Sequence, residues 1–306
     1  MLQVGIVGLP NVGKSTLFQT LTKKQVEISN RPFATINPNV AVVAVPDSRL
    51  EELKRVKITK EVVPATIEFI DIAGLVKNAH QGEGLGNQFL SHIRNVDALI
   101  HTVRIFEDKD ISHVHNKIDP FYDLEIINQE LKTAGIIKPT LIVFNSSENQ
   151  LDWQPSFAKD ASFAEVATKA ESEDKPYIVL SAKLELALSE ITEDERKNFI
   201  NELGIKESGF EKLIKESYKL LDLITFFTIK GENQLRAWEV KKGTSIIEAA
   251  EKIHTDFKEK FIRAEVVNWG KLVDAGDWHK AREKGRIKIA GRDYVVQEGD
   301  VIEIKI

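Results

Sequence analysis

Residues 8–16 read G-L-P-N-V-G-K-S-T, and these types at this spacing suit one piece of chemistry, the holding of a polyphosphate. Gly8 and Gly13 let backbone N–H groups curl around a phosphate, Lys14 supplies a point charge, and Ser15 Oγ can ligate Mg²⁺. Asn11, Val12, Gly13, Lys14, Ser15 and Thr16 are therefore the candidate phosphate contacts. Downstream, Thr35 sits in a loop bracketed by Pro32 and Pro38, where its hydroxyl can reach Mg²⁺ and the segment can order with a γ-phosphate. Asp71 follows an apolar run at 65–70 and can hold a Mg²⁺ water, while Gly74 can offer its N–H to the γ-phosphate. The next position is Leu75, which cannot hydrogen-bond an attacking water, so His80 is the nearest titratable candidate for orienting one.

A second set of residues suits a nucleobase. Asn145-Ser146-Ser147-Glu148 stands where nucleotide hydrolases specific for guanine carry N-K-x-D, whose Asp accepts from guanine N1–H and N2–H₂. Glu148 keeps the carboxylate but displaces it by a methylene, and Ser146 lacks the lysine stem that packs along the base, so guanine selectivity should suffer. Ser181-Ala182-Lys183 supplies backbone N–H groups for the base edge. The glycines at 82, 84 and 86 have the wrong spacing for a dinucleotide fingerprint.

These residues need a scaffold that brings chain-distant turns together. Apolar runs at 4–7, 40–45, 65–70, 98–103, 140–144 and 177–180 read as buried strands, and each motif except the Thr35 loop, which precedes the run at 40–45, lies just after one of them. Helical periodicity at 85–94 and 119–131, a charged connector at 160–175 and helix within 185–218 complete an α/β pattern with a mainly parallel sheet. From about residue 223 the pattern changes. Strands are expected at 225–229 and 235–240, then a Ser245-x-x-Glu248 capping box opens a helix through about Phe261, and short strands follow at 287–290, 294–296 and 301–306. That order predicts a small α+β sheet with one helix across it, and so two domains, 1–222 and 223–306.

At 306 residues the chain can bury one large core and a smaller one. It has no cysteine, which excludes disulfides, thiolate catalysis and cysteine zinc sites. No apolar run reaches membrane-span length, so a cytoplasmic protein is expected. The net charge of −5 is uneven: residues 223–306 hold 16 Lys+Arg against 14 Asp+Glu, making the C-terminal part the better match for a polyanion. Arg282, Lys284, Arg286, Lys288 and Arg292 form a basic run beside Trp278 and Tyr294. His113 and His115, two apart with no further ligand nearby in sequence, are expected to be structural.

Taken together, G-L-P-N-V-G-K-S-T, P-F-A-T-I-N-P-N, D-I-A-G-L-V-K-N-A-H-Q-G-E-G-L-G-N-Q-F-L and N-S-S-E resemble the YchF group of Obg-like ATPases, within the P-loop GTPase class. The resemblance implies an ATP-hydrolysing switch with Mg²⁺, a hydrophobic residue in place of the catalytic glutamine, and a catalytic role for His80. In related enzymes an Asn at the position of Asn11 helps bind K⁺. The C-terminal part, ending V-Q-E-G-D-V-I-E-I, resembles the TGS domain, a ubiquitin-like β-grasp module, and the resemblance implies contact with the ribosome or its RNA; a monomer is favoured over an oligomer. A GTPase of relaxed base specificity and an RNA-binding adaptor whose nucleotide site gates docking are the alternatives. The chain departs from the group in one respect. The helical arm usually inserted before the strand at 140 is replaced by the short join 132–139.

Overall fold

The computed structural model describes residues 2–25, 39–56, 60–72, 85–151, 167–168, 170, 175–205, 207–230 and 234–306. Thr35, Gly74, Leu75, His80 and most of the 160–175 connector lie outside the described residues. The chain divides into two compact units, Met1–Ala44 with Ile67–Leu221, and Val45–Thr66 with Asp222–Ile306. The excursion at 45–66, read from sequence as part of the first domain, thus belongs to the second unit.

Strand β1 (Gln3–Val7) runs through the glycine loop into α1 (Lys14–Lys23), followed by β2 (Val40–Ala44). The excursion carries α2 (Arg49–Val56) and β3 (Glu61–Val63), and β4 (Thr66–Asp71) re-enters the first unit. Then come α3 (Leu85–Asn95), β5 (Ala98–Arg104), α4 (Pro120–Thr133), β6 (Thr140–Asn145) and β7 (Tyr177–Leu180). Helices α5 (Ala182–Leu188), α6 (Glu193–Glu202) and α7 (Gly209–Leu220) complete the unit.

The first sheet has the order β2-β4-β1-β5-β6-β7, and β4, β1, β5, β6 and β7 are parallel neighbours. Parallel strands put their carboxyl ends on one edge, so the loops after β1, β4, β5, β6 and β7 share that edge. Strand order reverses at β1, flanked by β4 on one side and β5 on the other, the crevice where such sheets bind ligands. Helices cover the faces, which is why β5 is buried along its whole length. Leu9 and Val12 of the glycine loop pack into the same apolar cluster as Phe89, Leu90 and Ile93 of α3 and Ile126 and Ile127 of α4. The loop is therefore anchored by its apolar residues while its amides remain available. Asp119 caps α4, accepting from the Tyr122 N–H at 3.1 Å, and Pro120 stands at the first helical position. After Thr133 the chain turns at Gly135 (φ 64°) and reaches β6 at once, leaving Ile137 almost fully exposed.

The second unit adds β8 (Leu223–Lys230), β9 (Gln234–Lys241), α8 (Ile246–Ile253), α9 (Thr255–Lys260), β10 (Arg263–Asn268), α10 (Trp269–Ala275), α11 (Trp278–Glu283), β11 (Lys288–Ala290) and β12 (Asp300–Lys305). Its sheet order is β11-β10-β12-β8-β9-β3. β3 comes from the excursion, with Glu61 beside Gln234 and Val63 beside Arg236. Arg49 holds the excursion down, donating to Asp47 at 2.7 Å and to Glu298 and lying 5.0 Å over the Phe227 ring.

The Ser245/Glu248 capping box forms as expected. The helix it opens ends at Ile253, because His254 is extended (φ −161°) and its Nδ1 accepts from the Asp256 N–H at 3.2 Å, starting a second helix. Residues 294–296 do not form the expected strand. Val295 makes one isolated bridge with Ser245, and the Tyr294 hydroxyl turns to Asp300 at 2.7 Å. Strand β10 and helices α10 and α11 had no counterpart in the sequence reading, which expected a single helix. Among the described residues no helix is long and apolar enough to cross a membrane.

Candidate functional site

The glycine loop depends on one backbone angle and one close contact, both at Gly13. Gly13 is left-handed (φ 98°), and a Cβ built on it would fall 2.1 Å from Asn145 Nδ2. Only glycine fits both constraints. That Asn145 nitrogen donates to the Val12 carbonyl at 2.9 Å, while its Oδ1 accepts from the Ala182 N–H at 2.9 Å. A single buried amide thus braces the phosphate loop against the 181–183 loop. Gly13 is also the N-cap of α1, so no side chain caps this helix, and its first turn holds no acidic residue. Helices α4, α5, α6 and α7 all have a side-chain cap. The N–H groups at the start of α1 are consequently open to an anion.

Lys14 is nearly buried, and its ammonium donates to the Leu9 carbonyl at 2.7 Å. Burial lowers its pKa to about 8, partly offset by the carboxylate of Asp71. Asp71, at the end of β4, is shifted the opposite way: burial raises it and Lys14 pulls it down. The two groups therefore sense one another across the β1–β4 edge. Ser15 presents an exposed hydroxyl in the first turn of α1. Its hydroxyl and the Asp71 carboxylate are hard oxygen donors of the kind Mg²⁺ takes. His101, on β5 beside Val7, is pushed down to about 3 by burial and by Lys175 and Lys14, so it stays neutral.

A cavity of about 670 Å³ opens onto this loop. Asn11, Gly13, Lys14, Ser15 and Thr16 line one part, and Ser146, Glu148, Ser181 and Ala182 line another. The structure thus gathers residues more than a hundred positions apart. Val12 and Asn145 lie behind the wall as supports, and Thr35, Gly74 and His80 lie outside the described residues. Ser146 is held by two bonds to the Leu180 carbonyl, from its N–H at 2.8 Å and its Oγ at 3.1 Å. Ser147 begins a short helical turn with a capping box to Gln150, which leaves Glu148 exposed. Ser181 caps α5, accepting from the Leu184 N–H at 3.3 Å.

A further wall had not been expected. Phe106, Glu107, Asp108 and Ile111, in the loop after β5, line the same cavity, as do Ser147, Asn149 and Lys183. The available signal was Arg104, a cation directly after the strand run 98–103. Asn11 (φ 63°) meets the end of this loop, its Nδ2 donating to the Ser112 carbonyl at 3.2 Å and to Ser112 Oγ at 3.3 Å. The neighbouring His113 is pinned to Asp123 by a buried 2.9 Å bond, so that histidine is structural.

Comparison with known proteins agrees with this architecture. The ribosome-binding ATPase YchF of Bacillus subtilis is 41% identical, aligned over 99% of this chain and 99% of its own. The chain belongs to the YchF family. The YchF of Escherichia coli O157:H7 is 36% identical, over 97% of each chain. A solved YchF GTPase from Schizosaccharomyces pombe superposes with a TM-score of 0.84 at 32% identity, covering 99% of this chain and 97% of that one. The family model described as 50S ribosome-binding GTPase matches residues 3–146, and the YchF C-terminal model, described as a protein of unknown function (DUF933), matches residues 223–306. The alignment to the Bacillus subtilis YchF runs over 365 positions, so at least 59 of them have no counterpart among the 306 residues here.

Proposed function

We propose that the protein is a Mg²⁺-dependent, ATP-hydrolysing molecular switch that acts at the ribosome in the cytoplasm. The observation that carries this reading is the single cavity shared by the uncapped end of α1 and by Ser146, Glu148 and the 181–183 loop. The triphosphate is held by Lys14 and the amides at 13–16. Ser15, Asp71 through a water, and Thr35 would hold Mg²⁺, which when bound neutralises charge on the phosphates. Gly74 would donate to the γ-phosphate and His80 orient the water. The Asn11 amide nitrogen is committed to Ser112, which leaves its Oδ1 as the ligand for K⁺.

Preference for ATP over GTP follows from the base wall. Ser146 has no stem to lie along a purine, and its hydroxyl is turned to Leu180. Glu148 stands exposed on a short turn, not at the Asp position that guanine needs. A GTPase with relaxed specificity is the second reading, favoured by the Schizosaccharomyces pombe relative, which is named a GTPase. The ribosome is the proposed partner because the bacterial relatives are named ribosome-binding ATPases. Contact would run through a TGS-like unit at 223–306, where Lys284 and Lys288 are exposed while Arg282 and Arg292 are tied to Glu265 and the Phe261 carbonyl. We place the unmatched positions of the Bacillus subtilis relative at the join 132–139, where the family's helical arm would be inserted, and the nucleotide contacts proposed above lie outside that join.

The test is ATP turnover with Mg²⁺ by the purified chain and by Lys14→Ala. Loss of turnover in the variant is expected, and unchanged turnover would overturn the site.

A further inference from the structure

Arg104 is a buried cation whose guanidinium hydrogen bonds go to backbone carbonyls, with the Asp108 and Asp123 carboxylates also acting on its charge. It ends β5, is 1% exposed, and donates from all three guanidinium nitrogens to one short loop. Nε reaches the Phe106 carbonyl at 3.1 Å, Nη1 the Ile111 carbonyl at 3.1 Å, and Nη2 the Asp108 carbonyl at 3.2 Å. The guanidinium also lies 4.4 Å over the Phe106 ring. Charge-assisted bonds from a planar fork fix geometry as well as energy, and each carbonyl would be left without this donor if the fork were removed. The loop has its own Asx turn, the Asp110 N–H donating to Asp108 Oδ1 at 2.9 Å. All three carbonyl-bearing residues, Phe106, Asp108 and Ile111, line the cavity.

We propose that Arg104 is a positioning residue for nucleotide binding: by gripping three carbonyls of the 106–111 loop it fixes a cavity wall that meets the nucleoside, while the phosphates depend on the start of α1. The inference rests on the nucleotide reading above. Its consequence is a separation that a general structural role would not give. Weakening the grip lets the loop depart from the shape that receives base and ribose, and affinity for the whole nucleotide falls. A ligand made only of phosphates keeps its contacts with Lys14 and the amides at 13–16.

The experiment is calorimetric titration of the full chain and of Arg104→Lys with Mg²⁺-ATP and, separately, with Mg²⁺ and inorganic tripolyphosphate. Lysine keeps the charge and loses the fork. ATP should bind about tenfold more weakly to the variant, with tripolyphosphate changed by less than about twofold. Unchanged ATP affinity, or an equal loss for both ligands, would overturn the proposal. A thermal melt monitors folding, and if Arg104→Lys fails to fold, Asp108→Ala replaces it, because it breaks the Asx turn while leaving the Arg104 fork in place. The same split between ligands is then expected, and its absence overturns the proposal. If the unaltered chain does not bind Mg²⁺-ATP at all, the nucleotide reading itself falls.

Discussion

The side-chain amide of Asn145 fills the place that a Cβ on Gly13 would take, 2.1 Å from its nitrogen. The proposed base-recognition motif and the glycine loop are thereby one mechanical unit, with Val12 and Ala182 joined through the same amide. Asn145→Ala would leave a buried carbonyl and a buried N–H without their partner. The cost is expected at about 1–3 kcal/mol of stability. Affinity for tripolyphosphate should fall along with that for ATP, since the brace supports the phosphate loop. Chemical denaturation and calorimetry of the variant check both. Gly13→Ala, which adds a clash to a left-handed angle, should bind neither ligand.

The low pKa of Lys14 gives nucleotide binding a pH dependence. Burial holds the ammonium near pKa 8 in the free protein, well below its ordinary 10.5, and a bound polyphosphate favours the charged form. Below pH 8 the lysine is already charged and affinity is level. Above it, binding must first draw a proton onto Lys14, so log Kd should rise toward about one unit per pH unit. Stability of the free chain moves the other way, rising between pH 8 and 10.5 as the buried charge is relieved. Calorimetry in buffers of different ionisation enthalpy would reveal the proton uptake.

The candidate nucleotide-binding residues are legible in the sequence where the information is local. Gly13, Lys14 and Ser15 act within one turn, and apolar strands must precede parallel-sheet loops, so the phosphate loop and its neighbours could be placed in order. What escaped depends on contacts between distant residues. Asn145 has the type and position of a base contact, and only the fold shows both of its polar atoms used as a brace. The 106–111 wall carries no motif, and Arg104 signals it only as a cation at the end of a strand buried along its length. Nothing in 45–66 announces that Glu61 will pair with Gln234, because strand pairing across such a separation leaves no local mark.

That pairing bears on how the C-terminal unit can be studied. A fragment of residues 223–306 would lose β3 from the edge of β9 and the Arg49 contacts to Glu298 and Phe227. It should melt earlier than the same unit within the full chain, and the exposed β9 edge should promote association. In the full chain, Arg49→Ala should cost about 1–3 kcal/mol, because the largely buried carboxylate of Asp47 loses its guanidinium partner and keeps only the N–H of residue 49. Differential scanning calorimetry of fragment and variant provides the check, and a fragment as stable as the intact unit would contradict it.

The most direct measurement is the affinity of the purified full chain for Mg²⁺-ATP and Mg²⁺-GTP, titrated by calorimetry under identical conditions. Tighter binding of ATP is expected, since Ser146 and Glu148 replace the lysine and aspartate that guanine requires. Tighter binding of GTP would contradict the proposed function at its centre.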